Sequence, residues 1–338
     1  MANEVEAVNI IAIADIEKIN GFTDDNIEKI NALEFSGTHT NWLGSKGFTF
    51  GGYSGGATQA QIDTWNITSY GSVADFGDLG QGRQTISGFS DKTTVGTFGG
   101  YSDSESYSDN IDYITAASYA QATESGVVGV RGVMVVTNGT RAVRAGSGSA
   151  ATAMLTDSEY VTIASKNAGA DTGFDIISPG ARAGGCISNQ TYGVLQEGYD
   201  YASSAYLSEL QRFSITASSG TSSSFGNSAA DAYGVGGCED GTRGLLMGGN
   251  TSGGNITMIQ TVDIGGSGGA ADSTEDLYAA GSFGAGVSDG TYGQWVSSSG
   301  NANGIQQVTI QSLGTASDPG DVTTNLSGRY FCGGASGT

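Results

Sequence analysis

Apolar residues recur along most of the chain in the pattern apolar-x-x-apolar-x-apolar, with polar residues between them. β-Branched and aromatic residues dominate the apolar positions, which suits strands with one face packed against a neighbouring sheet. A sixth copy keeps only Val161 and Ile163. The pattern therefore predicts six related strands. The complete copies are Ile62/Trp65/Ile67, Ile111/Ile114/Ala116, Leu210/Phe213/Ile215, Ile259/Val262/Ile264 and Ile305/Val308/Ile310.

A predicted β-hairpin accompanies each of these strands. In the clearest copy, residues 232–249, a strand of small residues, an Asp240-Gly241 turn and an apolar strand ending in Gly248-Gly249 follow one another. Asp-Gly supplies the two positive-φ positions that a tight type I′ turn requires. The threonine after the turn recurs at intervals of 47 to 51 residues, so the chain is a repeat protein. These threonines are Thr93, Thr140, Thr191, Thr242, Thr291 and Thr338.

A short fourth element follows in each repeat, as in residues 74–79 and 172–176. Four short strands per unit of about 50 residues predict propeller blades, whereas a β-helix has shorter coils and a β-sandwich does not repeat in this way. The glycine-rich first strands are expected next to the axis, where backbones approach closely. Residues 329–337 are the first strand that residues 47–79 lack. We therefore predict an all-β, six-bladed propeller whose opening blade is completed when 329–337 pairs with 47–52.

Residues 1–36 differ from the repeats, because Ile16-Glu17-Lys18-Ile19-Asn20 returns 11 residues later as 27–31. We predict two short amphipathic helices there, forming an N-terminal helical arm before a propeller domain at 37–338. Short helices need a surface to pack on, so the arm either lies against the propeller or anchors the protein to a larger assembly. The residues expected to contact such a partner are Ile13, Ile16, Ile19, Ile27 and Ile30.

The formal net charge of −21 excludes some classes of partner. Nucleic-acid binding requires clustered Lys and Arg, which a chain with 34 acidic and 13 basic residues does not favour. No segment approaches the roughly 18 apolar residues of a membrane helix. The start of the chain carries Glu4 and Glu6, which does not favour a secretory signal. We expect neither nucleic-acid binding nor membrane insertion.

Catalytic and metal chemistry is poorly supported. His39 is the only histidine, whereas nucleophile–histidine triads and clustered zinc sites need histidine beside other groups. Cys186, Cys238 and Cys332 occupy related positions of first strands, so we expect small buried residues near the axis and no structural disulfide. We predict no catalytic residues, no cofactor and no metal.

Some charged residues keep alternatives open. Asp75 with Asp78 has the composition of a glycosidase pair, but turn formation is the simpler interpretation. The 75–78 and 318–321 turns also offer oxygen ligands for Ca²⁺. Four arginines near the starts of first strands either line one end of the channel or satisfy carbonyls and bridge blades. They are Arg83, Arg131, Arg182 and Arg329.

The loops between second and third strands are the best candidate for recognition. They carry tyrosines among Ser, Asp and Gly, and an aromatic ring with a polar tip suits both sugars and protein partners. The candidate ligand-binding residues are Tyr101, Tyr107, Tyr199, Tyr201 and Tyr206.

Two resemblances extend this interpretation. The hairpin with a terminal Gly doublet resembles the kelch repeat, although Ser147, Glu197 and Ser297-Ser298 interrupt the doublet. The segments 240–244, 111–115 and 75–79 look like glycine-rich repeats in structural proteins of marine bacteriophages, including cyanophages. The segment Ile16–Gly21 is similar to N-terminal segments of phage fibre and appendage proteins.

The phage resemblance implies a non-enzymatic virion structural protein, a capsid or tail appendage or tail fibre component, assembled in the host cytoplasm. The arm would bind other virion proteins, and the propeller, in multiple copies per particle, would take part in host attachment by recognising the host surface or its glycans. The alternatives are a propeller polysaccharide hydrolase or lyase and an internal tail assembly hub. Fold alone does not choose between them.

Overall fold

The computed structural model describes two compact units, Met1–His39 and Thr40–Thr338. The described residues of the first unit are six two-residue strands. Among the described residues, no helix is long and apolar enough to cross a membrane. In the second unit the described ranges are 42–69, 73–104, 107–118, 123–130, 133–148, 154–176, 183–200, 203–299, 301–321 and 329–338.

The described residues of the first unit form β-hairpins, so the predicted N-terminal helices are wrong for this part of the chain. Val8 pairs with Ile11, Ile19 with Phe22 and Ile30 with Leu33, at intervals of 11 residues. Ile13, Ile16 and Ile27 lie outside the described residues. The strands are β1 (Ala7–Val8), β2 (Ile11–Ala12), β3 (Lys18–Ile19), β4 (Phe22–Thr23), β5 (Lys29–Ile30) and β6 (Leu33–Glu34).

Local chemistry explains why strands form here. Asn20-Gly21, between Ile19 and Phe22 in the sequence, is the dipeptide that most favours a two-residue hairpin turn. Isoleucine is β-branched and restricted at χ1, which favours strands. An isolated helix of this length is marginal in water. The 11-residue repeat is therefore a repeat of hairpins and not of helices.

The second unit is a six-bladed β-propeller, as predicted. In blades 1 to 3, the strands are β7 (Lys46–Phe50), β8 (Tyr53–Ser54), β9 (Ala57–Thr58), β10 (Gln61–Asn66) and β11 (Ala74–Asp78); β12 (Ser87–Ser90), β13 (Thr94–Phe98), β14 (Ser108–Thr115) and β15 (Thr123–Val130); and β16 (Val135–Thr137), β17 (Arg141–Gly148), β18 (Met154–Thr162) and β19 (Ala170–Asp175). A 3₁₀ turn at Ile163–Ser165 follows β18.

The remaining blades repeat this order with antiparallel pairing, except that the short strand at Gly220–Thr221 pairs parallel with β19 of blade 3. Their strands are β20 (Cys186–Ser188), β21 (Tyr192–Asp200), β22 (Ala205–Ser214), β23 (Gly220–Thr221) and β24 (Ser223–Asn227); β25 (Gly236–Glu239), β26 (Arg243–Met247), β27 (Asn250–Thr251), β28 (Gly254–Asp263) and β29 (Ala270–Gly281); β30 (Ala285–Ser288), β31 (Tyr292–Ser298), β32 (Asn301–Thr309) and β33 (Ser317–Asp321); and β34 (Gly333–Gly337).

The predicted closure of the ring is confirmed. Strand β34 pairs antiparallel with β7, with Gly333 opposite Phe50 and Ala335 opposite Phe48. Tyr330 forms a further backbone bridge with Tyr53. Blade 1 therefore has the order β11-β10-β7-β34 and is assembled from two distant parts of the chain.

Six apolar clusters lie between neighbouring blades, and the predicted third-strand residues supply much of them. The interface of blades 1 and 2, for example, joins Phe48 and Ile62 to Val95 and Ile114, and all four are at most 2% exposed. Because burial of apolar area is the main favourable term in folding, the contacts between blades hold the ring together.

A buried polar residue follows the first position of each third-strand pattern. In blade 1 it is Asp63, whose carboxylate lies 2.5 Å from the guanidinium of Arg329 and receives a hydrogen bond from it. In later blades its partners include the N–H groups of segments that arrive from the preceding blade, such as Ala279 N–H donating to Gln306. This position therefore ties neighbouring blades. Its residues are Asp63, Asp112, Glu159, Gln211, Gln260 and Gln306.

Candidate functional site

The first strand of each blade lines a central channel. Strands β34, β12, β16, β20, β25 and β30 contact one another in that order, and β30 contacts β34, which completes the circle. A Cβ at Gly286 would collide with the carbonyl oxygen of Gly237, so glycine is required there. The strands enclose a cavity of about 140 Å³. The predicted position of the glycine-rich strands at the axis is thus confirmed.

One end of the channel, the turn end, is where first strands pass into the hairpin turns. The last residue of the first strand carries a hydroxyl in most blades, and Ser90, Thr137 and Ser288 use it to accept hydrogen bonds from N–H groups two residues later. These hydroxyls stabilise the turns locally. Glu239 occupies the same position in blade 5, so a carboxyl group replaces a hydroxyl there.

Trp42 closes the turn end. Its side chain is 1% exposed, and its indole Nε1–H donates to Glu239 Oε1 at 3.3 Å. Ser188 Oγ donates to the same oxygen at 3.3 Å, and Gly44 N–H donates to Ser336 Oγ at 3.4 Å. Burial raises the pKa of Glu239 to about 7, and the hydrogen bonds from Trp42 and Ser188 oppose the shift. Residues 42–44, the first described residues of the second unit, thus lie across the turn end of the channel.

The other end, the mouth, is a ring of left-handed backbone. A residue two or three positions before the first strand of a blade has positive φ, including 55° at Thr85 before β12, 55° at Ala183 before β20 and 59° at Phe283 before β30. Phe283 N–H donates to Gly234 O at 2.6 Å, Phe331 N–H to Phe283 O at 2.9 Å, and Thr85 N–H to Phe331 O at 2.9 Å. Non-glycine residues adopt this conformation at a cost, and such strain often marks functional positions.

Aromatic rings form a continuous row beside this mouth. Phe283 lies 4.1 Å from Phe331 and 4.9 Å from Tyr233, between ring centroids. Tyr233 in turn contacts Tyr199 at 5.2 Å and Tyr206 at 5.5 Å. Each side chain in the row is partly exposed. We call this row the aromatic surface; it consists of Tyr53, Tyr199, Tyr206, Tyr233, Phe283, Tyr330 and Phe331.

Amide groups border the aromatic surface. Tyr206 Oη donates to Asn250 Oδ1 at 3.3 Å, and Asn250 Nδ2 donates to Asn255 Oδ1 at 2.9 Å. Ser282 Oγ donates to the same Asn255 oxygen at 3.0 Å. Asn255 is exposed. The mouth therefore combines flat apolar faces with groups that can both donate and accept hydrogen bonds.

Charge is distributed unequally between the two ends. At the turn end, Lys46, Arg141 and Arg243 donate to carbonyls of the next blade, at Ala116, Ala217 and Ile310. At the mouth, Asp200 and Asp231 lie next to or near residues of the aromatic surface in the sequence. Cationic side chains thus lie at the turn end, whereas none of the described residues at the mouth is an exposed lysine or arginine.

The predicted arginines divide in two groups. Arg83 and Arg329 are fully buried, and Arg83 pairs with Asp112 while it donates to the carbonyls of Gly99 and Asn110. Both side chains donate hydrogen bonds to backbone carbonyl groups and link neighbouring strands or blades, which is one of the two roles expected for them. Arg131 and Arg182 lie outside the described residues.

The predicted tyrosines are only partly brought together. Tyr199 and Tyr206 contact each other at 5.2 Å within the aromatic surface. Tyr101 instead forms a backbone bridge with Gln84, Tyr107 is half-buried, and Tyr201 lies outside the described residues. Sequence reasoning missed the aromatic residues that precede first strands. Tyr233-Gly234, Ser282-Phe283 and Tyr330-Phe331 occupy equivalent places in successive repeats, and this alignment was the available signal.

Asp75 and Asp318 accept local hydrogen bonds in turns. Asp75 and Asp78 lie on the outer strand β11, and Asp75 accepts a hydrogen bond from Gly77 N–H, as a turn-forming residue does. Asp318 does the same with Gly320 N–H. In the part of the chain that the structure describes, no group of three or more His, Cys, Asp or Glu residues is arranged to hold a metal ion.

The three cysteines line the channel as free thiols. Burial raises the pKa of Cys186 and Cys332 to about 11, and that of Cys238 well above its usual value. A raised pKa disfavours the reactive thiolate, so these residues act as small packing groups.

Comparison with known proteins supports the fold alone. No protein-family model matches the chain, and no curated protein matches it. Among solved structures, the chain is similar to YjhT, with a TM-score of 0.59 and 9% sequence identity. The similarity covers 82% of this chain and 97% of the YjhT chain. At this identity the likeness concerns the propeller architecture and not its activity.

Proposed function

We propose that this chain is a non-enzymatic structural protein of a bacteriophage particle, a capsid or tail appendage that binds the host-cell surface through the aromatic surface. One observation carries the proposal: Trp42 closes the channel at the turn end, whereas the aromatic surface lies partly exposed at the opposite end. This polarity suits a protein that is attached at one end and binds a partner with the other.

The first unit supplies the attachment in this proposal. Its hairpins repeat every 11 residues, and Ile19 and Ile30 occupy equivalent positions in them. Attachment through this unit would place several propellers on one particle. Since linked sites bind with a high effective concentration, weak contacts at each aromatic surface would suffice for firm adsorption.

Deleting residues 1–36 from the gene in the phage tests the attachment. We expect the shortened chain to be absent from purified particles, as measured by mass spectrometry, while circular dichroism of the purified chain retains its strand signal. Imaging of intact particles with a specific antibody would locate the full-length protein. Incorporation of the shortened chain at the normal level would refute this role for the first unit.

A second variant tests recognition separately. Tyr206→Ala with Tyr233→Ala removes two rings from the aromatic surface, so particles should incorporate the protein normally but adsorb to host cells more slowly. Tyr292→Ala, a partly exposed tyrosine at the turn end of blade 6, is the control. Adsorption at the wild-type rate by the double variant would contradict the proposal. Release of new reducing or unsaturated ends from envelope polysaccharide would favour the hydrolase or lyase alternative.

A further inference from the structure

We propose that the aromatic surface is a binding site for a neutral oligosaccharide, whose pyranose rings stack on the aromatic rings around the channel mouth. This inference rests on the proposed function, because it names the chemical class that the host-recognition surface takes. It assigns the seven residues of the aromatic surface, with Asn250 and Asn255 beside them, to one ligand.

The shape of the surface suits an extended ligand. Successive ring centroids from Tyr53 through Tyr330, Phe331 and Phe283 to Tyr233 are 4.1 to 5.8 Å apart. The row therefore runs from blade 1 past blades 6 and 5 towards blade 4. From Tyr53 to Tyr233 each ring contacts the next edge-on or tilted, so these rings follow one another in a row and do not surround one point. The row ends in Tyr199, Tyr206 and Tyr233, which contact one another. A cage for a single small cation needs rings that surround one point, so several sugar units fit this row better.

The chemistry of the surface suits a ligand with apolar faces and hydroxyl edges. One face of a pyranose ring presents C–H groups, and its rim presents hydroxyls. Aromatic side chains offer apolar faces with polar edges, and amides both donate and accept hydrogen bonds. The exposed Asn255 and half-exposed Asn250 lie where the rim of a sugar stacked near Tyr206 would pass.

Charge decides between neutral and acidic sugars. The chain carries a net charge of −21, and the exposed Asp103 and Asp231 lie in the loops of this end. Arg83 and Arg329, the described cations nearest the mouth, are fully buried and paired with carboxylates. An acidic sugar would thus meet a repulsive field without a described exposed cation to neutralise it. Arg131 and Arg182 lie outside the described residues, and the contribution of Arg182 is tested directly below.

The test compares hexasaccharides that differ in charge. The full-length chain is titrated with maltohexaose, cellohexaose and fully acetylated chitohexaose, which are neutral, with acidic hexagalacturonate and with cationic hexaglucosamine. Binding is followed by calorimetry, and saturation-transfer NMR with irradiation of the aromatic protons reports which sugar protons touch the rings. We expect at least one neutral hexamer to bind, with equal affinity at about 0.05 and about 0.5 M NaCl because no charges are involved.

Variants locate the site. Tyr233→Ala removes the ring that joins two parts of the row, so the association constant for the neutral hexamer should fall about tenfold. Tyr292→Ala and Arg182→Gln should leave it unchanged. Binding of the charged hexamers alone, no binding of any neutral hexamer, full affinity in Tyr233→Ala or loss of binding in Arg182→Gln would each overturn the proposal.

Failure of this inference can be separated from failure of the proposed function. Periodate destroys sugars with vicinal hydroxyls, whereas protease treatment removes protein from host envelopes. If particles adsorb to periodate-treated envelopes through Tyr233 but not to protease-treated ones, the surface recognises the host through protein, and the oligosaccharide inference is wrong. If the neutral hexamer binds but adsorption does not depend on Tyr233, the saccharide site stands and its role in host attachment fails.

Discussion

The two ends of the channel are built from equivalent positions of the same repeat, but they have opposite character. At the turn end, hydroxyls stabilise hairpin turns, Trp42 is buried and cations reach across to the next blade. At the mouth, the backbone is left-handed at successive blades and aromatic side chains remain partly exposed. The comparison teaches that the repeat keeps stabilising groups at one end of the molecule, while sequence variation at the other leaves aromatic side chains partly exposed, where we propose that recognition takes place.

The largest effect is expected from Trp42→Ala. Removing a buried tryptophan side chain leaves a void and takes one of two described side-chain donors from Glu239, and such truncations cost about 3–5 kcal/mol of unfolding free energy. Tyr233→Ala at the mouth removes a half-exposed ring, so it should cost only about 1–2 kcal/mol. Urea unfolding followed by tryptophan fluorescence and circular dichroism measures both. Equal losses for the two variants would break the proposed contrast between the ends.

The next effect concerns the pH dependence of stability. Burial raises the pKa of Glu239 to about 7, above its value in the unfolded chain. Between about pH 4 and pH 7 the folded state therefore binds more protons than the unfolded state, and its stability falls as the pH rises. Burial also raises the pKa of Glu197 to about 7 and that of Asp63 to about 6, so both add to the fall.

Glu239→Gln isolates the contribution of the turn end. The amide keeps an acceptor for the Trp42 indole but cannot ionise, so at pH 8 the variant should be more stable than the wild type by roughly 2–3 kcal/mol. At pH 4 the two should unfold at the same urea concentration, because Glu239 is then protonated in both states. A variant that is less stable than the wild type at pH 8 would show that the ionised carboxyl is favourable where it lies.

The smallest expected effect concerns the left-handed backbone at the mouth. Ala183 has a φ of 55°, which is unfavourable for a residue with a Cβ, so Ala183→Gly should raise the unfolding free energy by about 0.5–1 kcal/mol. Gly234, with a φ of 67°, occupies the equivalent place in blade 5, and Gly234→Ala should lower it. Thermal unfolding of the two variants measures this pair of opposite shifts. Shifts of the same sign would contradict the role assigned to backbone conformation.

The architecture of the second unit could be predicted because each repeat specifies its own strands. Apolar positions such as Val262 and Ile264 point to one face of a strand and Ile259 to the other, and Asp240-Gly241 selects the turn. The six imperfect copies support one alignment of the repeat, so the third strand that contains Val161 could be predicted even though its pattern lacks the first apolar residue. The pairing of 329–337 with the opening blade followed from the phase of the repeat, before any long-range contact was known.

The first unit and most of the candidate site could not be predicted in the same way. Three short copies of an 11-residue unit fit a helix or a hairpin almost equally well by hydrophobic periodicity, and the Asn20-Gly21 dipeptide is the local feature that favours a hairpin. The aromatic surface depends on contacts between residues about 50 positions apart, such as Phe283 with Phe331. Equally, nothing in the local sequence indicates that Trp42 reaches Glu239, because that contact follows from how the ring closes.

The pairing of β34 with β7 has a consequence for how the chain is made. While the ribosome is still adding residues 329–337, strand β7 has an open edge with unpaired N–H and C=O groups, and five blades already stand in an incomplete circle. Open edges recruit other strands, so polysomes crowded with nascent copies would be prone to cross-pairing. A chain in which residues 329–337 have not yet been made should depend on chaperones far more than one in which they have paired with β7.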